Sequence, residues 1–123
     1  MKKVFHHHMI IRQEHLNEYG SLFGGRVLSV IDELAFIACT RTYPGLNFVT
    51  RAITHAEFTA PARLGDLLEF QFGLEKIGRT SAVVRVRMLV YSGVRKKGGA
   101  VSFDGKVVMV CVDDAGLPKP ISG

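Results

Sequence analysis

Residues 24–45 read GGRVLSVIDELAFIACTRTYPG, and the spacing inside this stretch decides the fold. Val27, Leu28, Ile31, Leu34, Ala35 and Ala38 recur at intervals of three and four, which draws one apolar stripe along a helix. Pro44-Gly45 stops any helix that reaches it. Outward from this segment the period drops to two. Val4 to Ile11 reads as a first strand, and Glu14 to Gly25 as a turn-forming stretch that holds three glycines. Beyond the helix come four more strand-like runs. Phe48 to Phe58 is expected to place Phe48, Ala52, Ala56 and Phe58 on one face. Leu68, Phe70, Phe72 and Leu74 alternate with polar or small residues, and Ala82, Val84, Val86, Met88 and Val90 alternate with positions that include Arg85 and Arg87. Val107 to Val112 is apolar on both faces and reads as a central strand. The joints, residues 61–66, 76–80 and 92–99, each hold a glycine suited to a turn.

This order predicts an α+β fold: strand, helix, then four strands. A helix of ~20 residues is ~30 Å long, and five antiparallel strands spaced ~4.8 Å apart make a sheet about 24 Å wide that can curl around it. One helix covers one face of such a sheet. Val49 and Ile53, with polar residues between them, are expected to meet a partner subunit, so an oligomer is anticipated.

With 123 residues, 47% of them hydrophobic, the chain is expected to form one domain over residues 1–123. No apolar run approaches the ~18 residues of a membrane span. The start, MKKVFHHHMIIRQ, has neither an apolar core nor a cleavage site of the secretory type, so a cytoplasmic location without a membrane partner is expected. Cys39 and Cys111 read as free buried thiols. The net charge of +5 favours an anionic partner. No helix-turn-helix, zinc-finger or RNA-recognition motif is present, and aromatics do not interleave with the basic residues, which argues against nucleic acid. A multiply phosphorylated small molecule gains by elimination.

The segment His15-x-Asn17-x-x-Gly20-x-x-x-Gly24-Gly25, followed seven residues later by Asp32-Glu33, strongly resembles the acyl-CoA hydrolase branch of the hotdog superfamily. Further matches are Phe48-Val49-Thr50, Phe58-x-x-Pro61, Leu64-Gly65-Asp66, Gly78-Arg79-Thr80-Ser81 and Val112-Asp113, in order along nearly the whole chain. The resemblance implies a hotdog fold, with a five-stranded antiparallel sheet wrapped around one long helix. It also implies dimers pairing through the strand after the helix, often assembled further into tetramers or hexamers. The activity implied is hydrolysis of acyl-CoA thioesters, with acyl-CoA as the small-molecule partner.

The chemistry can also be read from the residues. Thioester hydrolysis needs an activated water or a nucleophile, and a donor for the developing oxyanion. Asp32 lies ~100° round the helix from Ile31, at the border of the apolar stripe, where it can face a groove. From position alone a solvated aspartate is the commoner reading; the resemblance makes Asp32 the central catalytic carboxylate, as general base or as nucleophile. Asn17 is read either as an Asx turn or helix cap, or, through the resemblance, as the residue that positions water or substrate. Gly24-Gly25 reads equally as a tight turn with close helix packing and as an oxyanion site, for which the N–H of Gly25, at a helix start, is suited. Gly78, Arg79, Thr80 and Ser81, with Lys76, are read as binding the phosphates or pantetheine arm of CoA; Arg63, Lys96 and Lys97 are weaker candidates for the same charge.

Other residues are set aside. His6 and His8 share a strand face, yet no third ligand at suitable spacing supports a metal, and no metal or redox cofactor is expected. His15 is a secondary candidate for lining the site, Glu33 is expected at the surface, and neither cysteine has a histidine partner for nucleophilic catalysis. Two rivals stay open. One is a non-catalytic acyl-CoA-binding hotdog module, in which Asp32 and Asn17 are dispensable. The other is a dehydratase, which would need a histidine inside Gly24 to Thr40, where the sequence has none.

Overall fold

A computed structural model of the chain describes residues 3–93 and 97–122, the side chain of Lys97 excepted. The elements are β1 (Phe5–Ile10), a short 3-10 turn (Gln13–His15), α1 (Gly24–Thr42), β2 (Asn47–Phe58), β3 (Leu67–Ile77), β4 (Ser81–Ser92) and β5 (Lys97–Val112). The strands form one antiparallel sheet in the order β1-β3-β4-β5-β2, the five-stranded sheet and single long helix that the sequence predicts.

The helix lies on one face of this sheet. Val27, Ile31, Leu34, Ala35, Ala38 and Cys39 are its buried residues, close to the stripe read from the sequence. They pack on the inward rows of β3 to β5, which include Phe70, Val84, Val86, Met88, Phe103, Val107 and Met109. Each such side chain contributes about 1.5–3 kcal/mol by leaving water. Small residues at 35, 38 and 39 let the helix axis sit close to the strands. The helix ends at Tyr43, whose N–H donates to Cys39 O at 2.8 Å, and Gly45 (φ 89°) turns the chain into β2.

Strand β2 departs from simple alternation. Its register against β5 slips between Thr50 and Ala52 and again between Thr54 and Glu57, and His55 in the second slip takes a left-handed φ of 54°. Each bulge inserts residues that shift the facing of everything after them. Phe48 and Phe58 therefore share the inward side, opposite Cys111 and Phe103, as expected, whereas Ala52 pairs with Val108 on the outward side. Ile53, expected to face a partner, packs against the core instead, while Val49 stays 49% exposed.

Strand β5 is longer than the run from Val107 to Val112. It begins at Lys97 and includes Gly105, where an added Cβ would lie 2.7 Å from the Phe103 ring and 3.2 Å from the Ala56 backbone. Beyond β5, Asp113 Oδ1 accepts from Ala115 N–H at 2.9 Å and from Leu117 N–H at 3.0 Å, closing a turn. The chain then runs back over the sheet end: Lys119 N–H reaches Cys111 O at 2.8 Å, Ile121 N–H reaches Arg79 O at 2.9 Å, and Ile121 is buried. The outward sheet face mixes valines with ion pairs, Arg85 with Asp104 at 2.9 Å and Lys106 with Glu75 at 2.8 Å. No helix of the described residues is long and apolar enough to cross a membrane.

Candidate active site

Asp32 occupies the third turn of α1, between buried Ile31 and exposed Glu33, and is itself half-buried. The Thr50 hydroxyl donates to Asp32 Oδ1 and also lies 3.4 Å from Met109 Sδ. A hydroxyl has one proton, and a carboxylate outcompetes a thioether for it. Thr50 stands just before the first bulge of β2, the irregularity that sets which residues of this strand look toward the helix. One carboxylate oxygen is thus oriented by the protein and the other is left to accept from water. Thr50 stands in the Phe48-Val49-Thr50 motif, but a threonine in a strand carries no mark of which way its hydroxyl will point.

Asn17 lies ahead of the helix. Its Oδ1 accepts from Tyr19 N–H at 2.9 Å and Ser21 N–H at 3.1 Å, so the Asx-turn reading describes this oxygen. Its Nδ2 remains as the donor. His15 is buried; its Nδ1 accepts from Arg12 N–H at 2.8 Å and its carbonyl from Phe23 N–H at 2.9 Å, so it ties the loop to the helix start. Asp32 lies seven residues past Gly25, or about 10 Å along the axis. Among the described residues, the contacts within the chain join Asp32 to Thr50 but not to Asn17.

At the helix start, the N–H groups of Arg26 and Val27 both fold back on Phe23 O, at 3.0 and 3.2 Å. Phe23 occupies the cap position and supplies no side-chain acceptor. The preceding amides, Gly24 and Gly25, are thus uncapped donors at the positive end of the helix dipole. Two half-exposed rings flank them. A Cβ at Gly25 would meet the Phe23 ring at 3.0 Å, and one at Gly24 would meet the Phe58 ring at 3.7 Å. Between this turn and the end of β2 opens a cavity of about 470 Å³.

Gly78 to Ser81 forms the tight β3–β4 hairpin, with Gly78 N–H on Ser81 O at 2.8 Å. A Cβ on Gly78 would lie 2.9 Å from Ser81 Oγ, so a larger residue there would require the Ser81 hydroxyl to turn aside. The carbonyls of Arg79 and Thr80 are taken by Ile121 and Cys111, while the Arg79 side chain is exposed. Lys76, also exposed, lines a second cavity of about 420 Å³ with Lys3, Thr42 and Tyr43, at the C-terminal end of α1. Within the chain, Lys76 of the residues nominated for CoA thus sits at the far end of the helix from Gly25. Arg63 is exposed on the β2–β3 loop; Lys96 and the Lys97 side chain lie outside the described residues.

Both cysteines are buried, and burial, with a smaller contribution from Cys111, pushes the Cys39 thiol up to about 12. That is the reverse of what a nucleophilic thiolate needs. On β1, His6 Nδ1 sits 3.0 Å from Glu69 Oε2, a carboxylate partner that sequence spacing did not reveal. The Tyr91 hydroxyl donates to the other oxygen of Glu69 at 2.9 Å. Among the described residues no group of three or more His, Cys, Asp or Glu is placed to hold a metal.

Residues 19–96, more than half of the chain, match the family model of the thioesterase superfamily. This chain is a member of the thioesterase superfamily. Among solved structures it is similar to a hexameric acyl-CoA thioesterase solved in its apo form, with 30% identity, a TM-score of 0.85 and 95% of this chain covering 74% of that one. The hotdog expectation is met. An acyl-CoA hydrolase of Staphylococcus aureus, solved with butyryl-CoA and CoA, shares the fold at 24% identity, with a TM-score of 0.84 over 95% of this chain and 70% of that one. A Zymomonas mobilis protein named as an uncharacterized acyl-CoA thioester hydrolase is 34% identical over 70 residues, 57% of this thioesterase-superfamily chain and 46% of that protein. The chain spans about half the length, or less, of the curated relatives it matches.

Proposed function

We propose that this member of the thioesterase superfamily hydrolyses acyl-CoA thioesters to free CoA and a carboxylic acid. The observation that carries the reading is Asp32, half-buried on the helix and oriented by the Thr50 hydroxyl, with one carboxylate oxygen left for water. Asp32 acts as the general base. It takes a proton from water as the water oxygen bonds to the thioester carbonyl carbon. The carbonyl oxygen becomes an oxyanion and is held by the Gly25 N–H. Collapse of the intermediate breaks the C–S bond, and CoA leaves as a good leaving group that takes up the proton. Asn17, through Nδ2, positions the water or the carbonyl. The hairpin Gly78, Arg79, Thr80 and Ser81, with Lys76, holds the phosphates and pantetheine of CoA. Neither metal nor redox cofactor takes part.

The separation of these groups within one protomer supports an active assembly that is a dimer. Strand β2 is a sheet edge of 12 residues with Val49 exposed. Two copies pairing antiparallel along β2 about a twofold axis would bring the hairpin end of one sheet against the Phe58 and Gly25 end of its partner. Asn17 of one protomer then faces Asp32 of the other. Such dimers assemble further into tetramers or hexamers, and the enzyme works in the cytoplasm on soluble acyl-CoA, without nucleic acid or membrane. The similarity to a hexameric acyl-CoA thioesterase, and to a hydrolase solved with butyryl-CoA, supports this reading.

The test is CoA release, followed with a thiol reagent, from acyl-CoAs running from acetyl to palmitoyl, for the wild type and Asp32→Ala. Turnover that falls ~10²-fold or more in the variant bears out both the activity and the base. Turnover that survives overturns the role of Asp32. Binding without turnover on every substrate hands the chain to the acyl-CoA-binding alternative.

A further inference from the structure

The β3–β4 hairpin does not take its shape from its own turn. Ile77 pairs with Ala82, and Gly78 N–H donates to Ser81 O at 2.8 Å, so Arg79 and Thr80 form a two-residue connection. Two-residue turns that match the twist of their strands need a positive φ at the first central residue, and often at both. Neither Arg79 nor Thr80 has one. A turn of the remaining kinds tends to splay its strands, and this one is held from outside. Arg79 O accepts from Ile121 N–H at 2.9 Å, and Thr80 O from Cys111 N–H at 2.7 Å.

Residues 118–121, Pro-Lys-Pro-Ile, are suited to holding it. A proline lacks the N–H and has a fixed φ, so the donors of this segment are the amides of Lys119 and Ile121. Both are used. Lys119 N–H reaches Cys111 O at 2.8 Å, and Ile121 N–H reaches the hairpin at Arg79 O. Pro118 bridges to Val112, and the Ile121 side chain, 8% exposed, belongs to the core. The segment is therefore a strap tied to β5, to the hairpin tip and to the core. Its prolines also restrict the unfolded chain, so ordering it loses little entropy. Cys111 joins the parts, with its N–H on the hairpin and its carbonyl on the strap. The side chain of Arg79 stays exposed above a fixed backbone.

We infer that residues 118–121 are a positioning strap for CoA, with Ile121 as its anchor. They fix the backbone of Arg79 so that its guanidinium meets the phosphates from a set direction. This rests on the reading in which the hairpin holds CoA, and it adds a positioning residue far along the chain from that hairpin. Ile121 acts through Arg79, whose preset backbone spares the ordering of a loose loop on binding. The strap serves the phosphate end of the substrate and leaves the thioester end alone.

The test places one acyl group on two carriers, CoA and N-acetylcysteamine, which keeps the thioester and lacks the phosphates. Wild type, Ile121→Ala, Ile121→Val, Arg79→Ala and the Arg79→Ala/Ile121→Ala pair are compared, each first checked by its thermal melt. The inference expects KM for acyl-CoA to rise about threefold to fivefold in Ile121→Ala and in Arg79→Ala, the scale of an exposed charge contact, with kcat little changed. Ile121→Val should recover most of the loss. The N-acetylcysteamine thioester should keep its kcat/KM in every variant, and the double variant should be no worse than Arg79→Ala.

Equal losses on both carriers, a fall confined to kcat, or full additivity in the double variant overturn the strap while leaving the thioesterase reading intact. If Ile121→Ala does not fold, the Pro118→Gly/Pro120→Gly pair loosens the strap with Ile121 still in the core and is judged by the same criteria. A wild type that prefers neither carrier removes the CoA phosphates from the hairpin and overturns the strap with them. If wild type turns over neither thioester, the thioesterase reading falls, and titration calorimetry with CoA judges the strap by itself. Weaker binding in Ile121→Ala that disappears on the Arg79→Ala background supports it; equal binding, or none to wild type, overturns it.

Discussion

The Thr50 hydroxyl on β2 donates to the Asp32 carboxylate on α1, joining the helix to the sheet edge at the point where that edge bulges. The bond spans the two layers of the fold, so the orientation of the carboxylate is tied to the packing of the helix. Thr50→Val keeps the shape and removes the donor. We expect kcat to fall about tenfold or more, the scale of a hydrogen bond to a charged group, with KM little changed. Thr50→Ser should recover most of the loss. Steady-state kinetics on one acyl-CoA decides it, and equal activity in all three proteins removes Thr50 from the site.

Gly25 offers a different test, because its amide survives substitution while its surroundings do not. A Cβ there would sit 3.0 Å from the Phe23 ring. Gly25→Ala should therefore displace that ring and lower kcat several-fold or more, and adding Phe23→Ala should restore part of it, a non-additivity visible in a double-mutant cycle. Strict additivity would argue that the ring and the amide are unconnected.

The two exposed-looking aliphatics of β2 should behave differently. Val49 is 49% exposed at the sheet edge, whereas Ile53 packs on the core. Val49→Asp is expected to weaken self-association, read by sedimentation velocity, with the fold retained. Ile53→Asp is expected to destabilise the fold itself by about 2–4 kcal/mol in urea denaturation. The reverse pattern would mean that the register is wrong.

Burial of Cys39 sets a pH limit. Its thiol lies at about 12 against an ordinary 9.0, so the unfolded chain loses this proton first. The contribution is intact below 9.0 and is lost as pH rises toward 12. At pH near 8 the native protein should therefore resist thiol reagents, with reaction appearing only when urea unfolds it. Fast labelling of native protein would contradict the buried placement.

At the other end of the scale stands Glu69. The Tyr91 hydroxyl, then His6, hold its carboxyl below the ordinary 4.5. A lowered carboxyl stabilises the fold above that ordinary value, and the effect disappears as pH falls through the native one. Comparing urea midpoints of wild type and Glu69→Gln should show a gap near neutrality that closes in acid. A gap independent of pH would show that the contact is not electrostatic.

How far the sequence reaches depends on which interactions are local. The helix was readable because Val27, Ile31, Leu34, Ala35 and Ala38 repeat with the helical period, and the strand rows of β3 and β4 because they alternate cleanly. Strand β2 misled at Ala52 and Ile53, since a bulge is a backbone event that leaves side-chain composition unchanged. The first half of β5 was missed because its glycines and Asp104 look like loop; Gly105 is there for lack of room beside Phe103 and Ala56. Asp32, Asn17 and Gly25 are nominated by their ordered motif, but the link from Asp32 to Thr50, 18 positions away, exists only once helix and sheet have packed. The walls of the cavity come from three separate stretches of chain, residues 21–27, 58–62 and 102, and no single one announces it.

The missing cap on α1 has a thermodynamic reading of its own. A serine, threonine or aspartate at the cap position adds about 0.5–2 kcal/mol to helix stability, and this chain carries Phe23 there instead. Phe23→Ser or Phe23→Asp is then expected to melt higher and, under the proposed mechanism, to work more slowly, because the side chain would occupy the amides proposed to hold the oxyanion. On that reading, helix capping trades rate for stability at a single position.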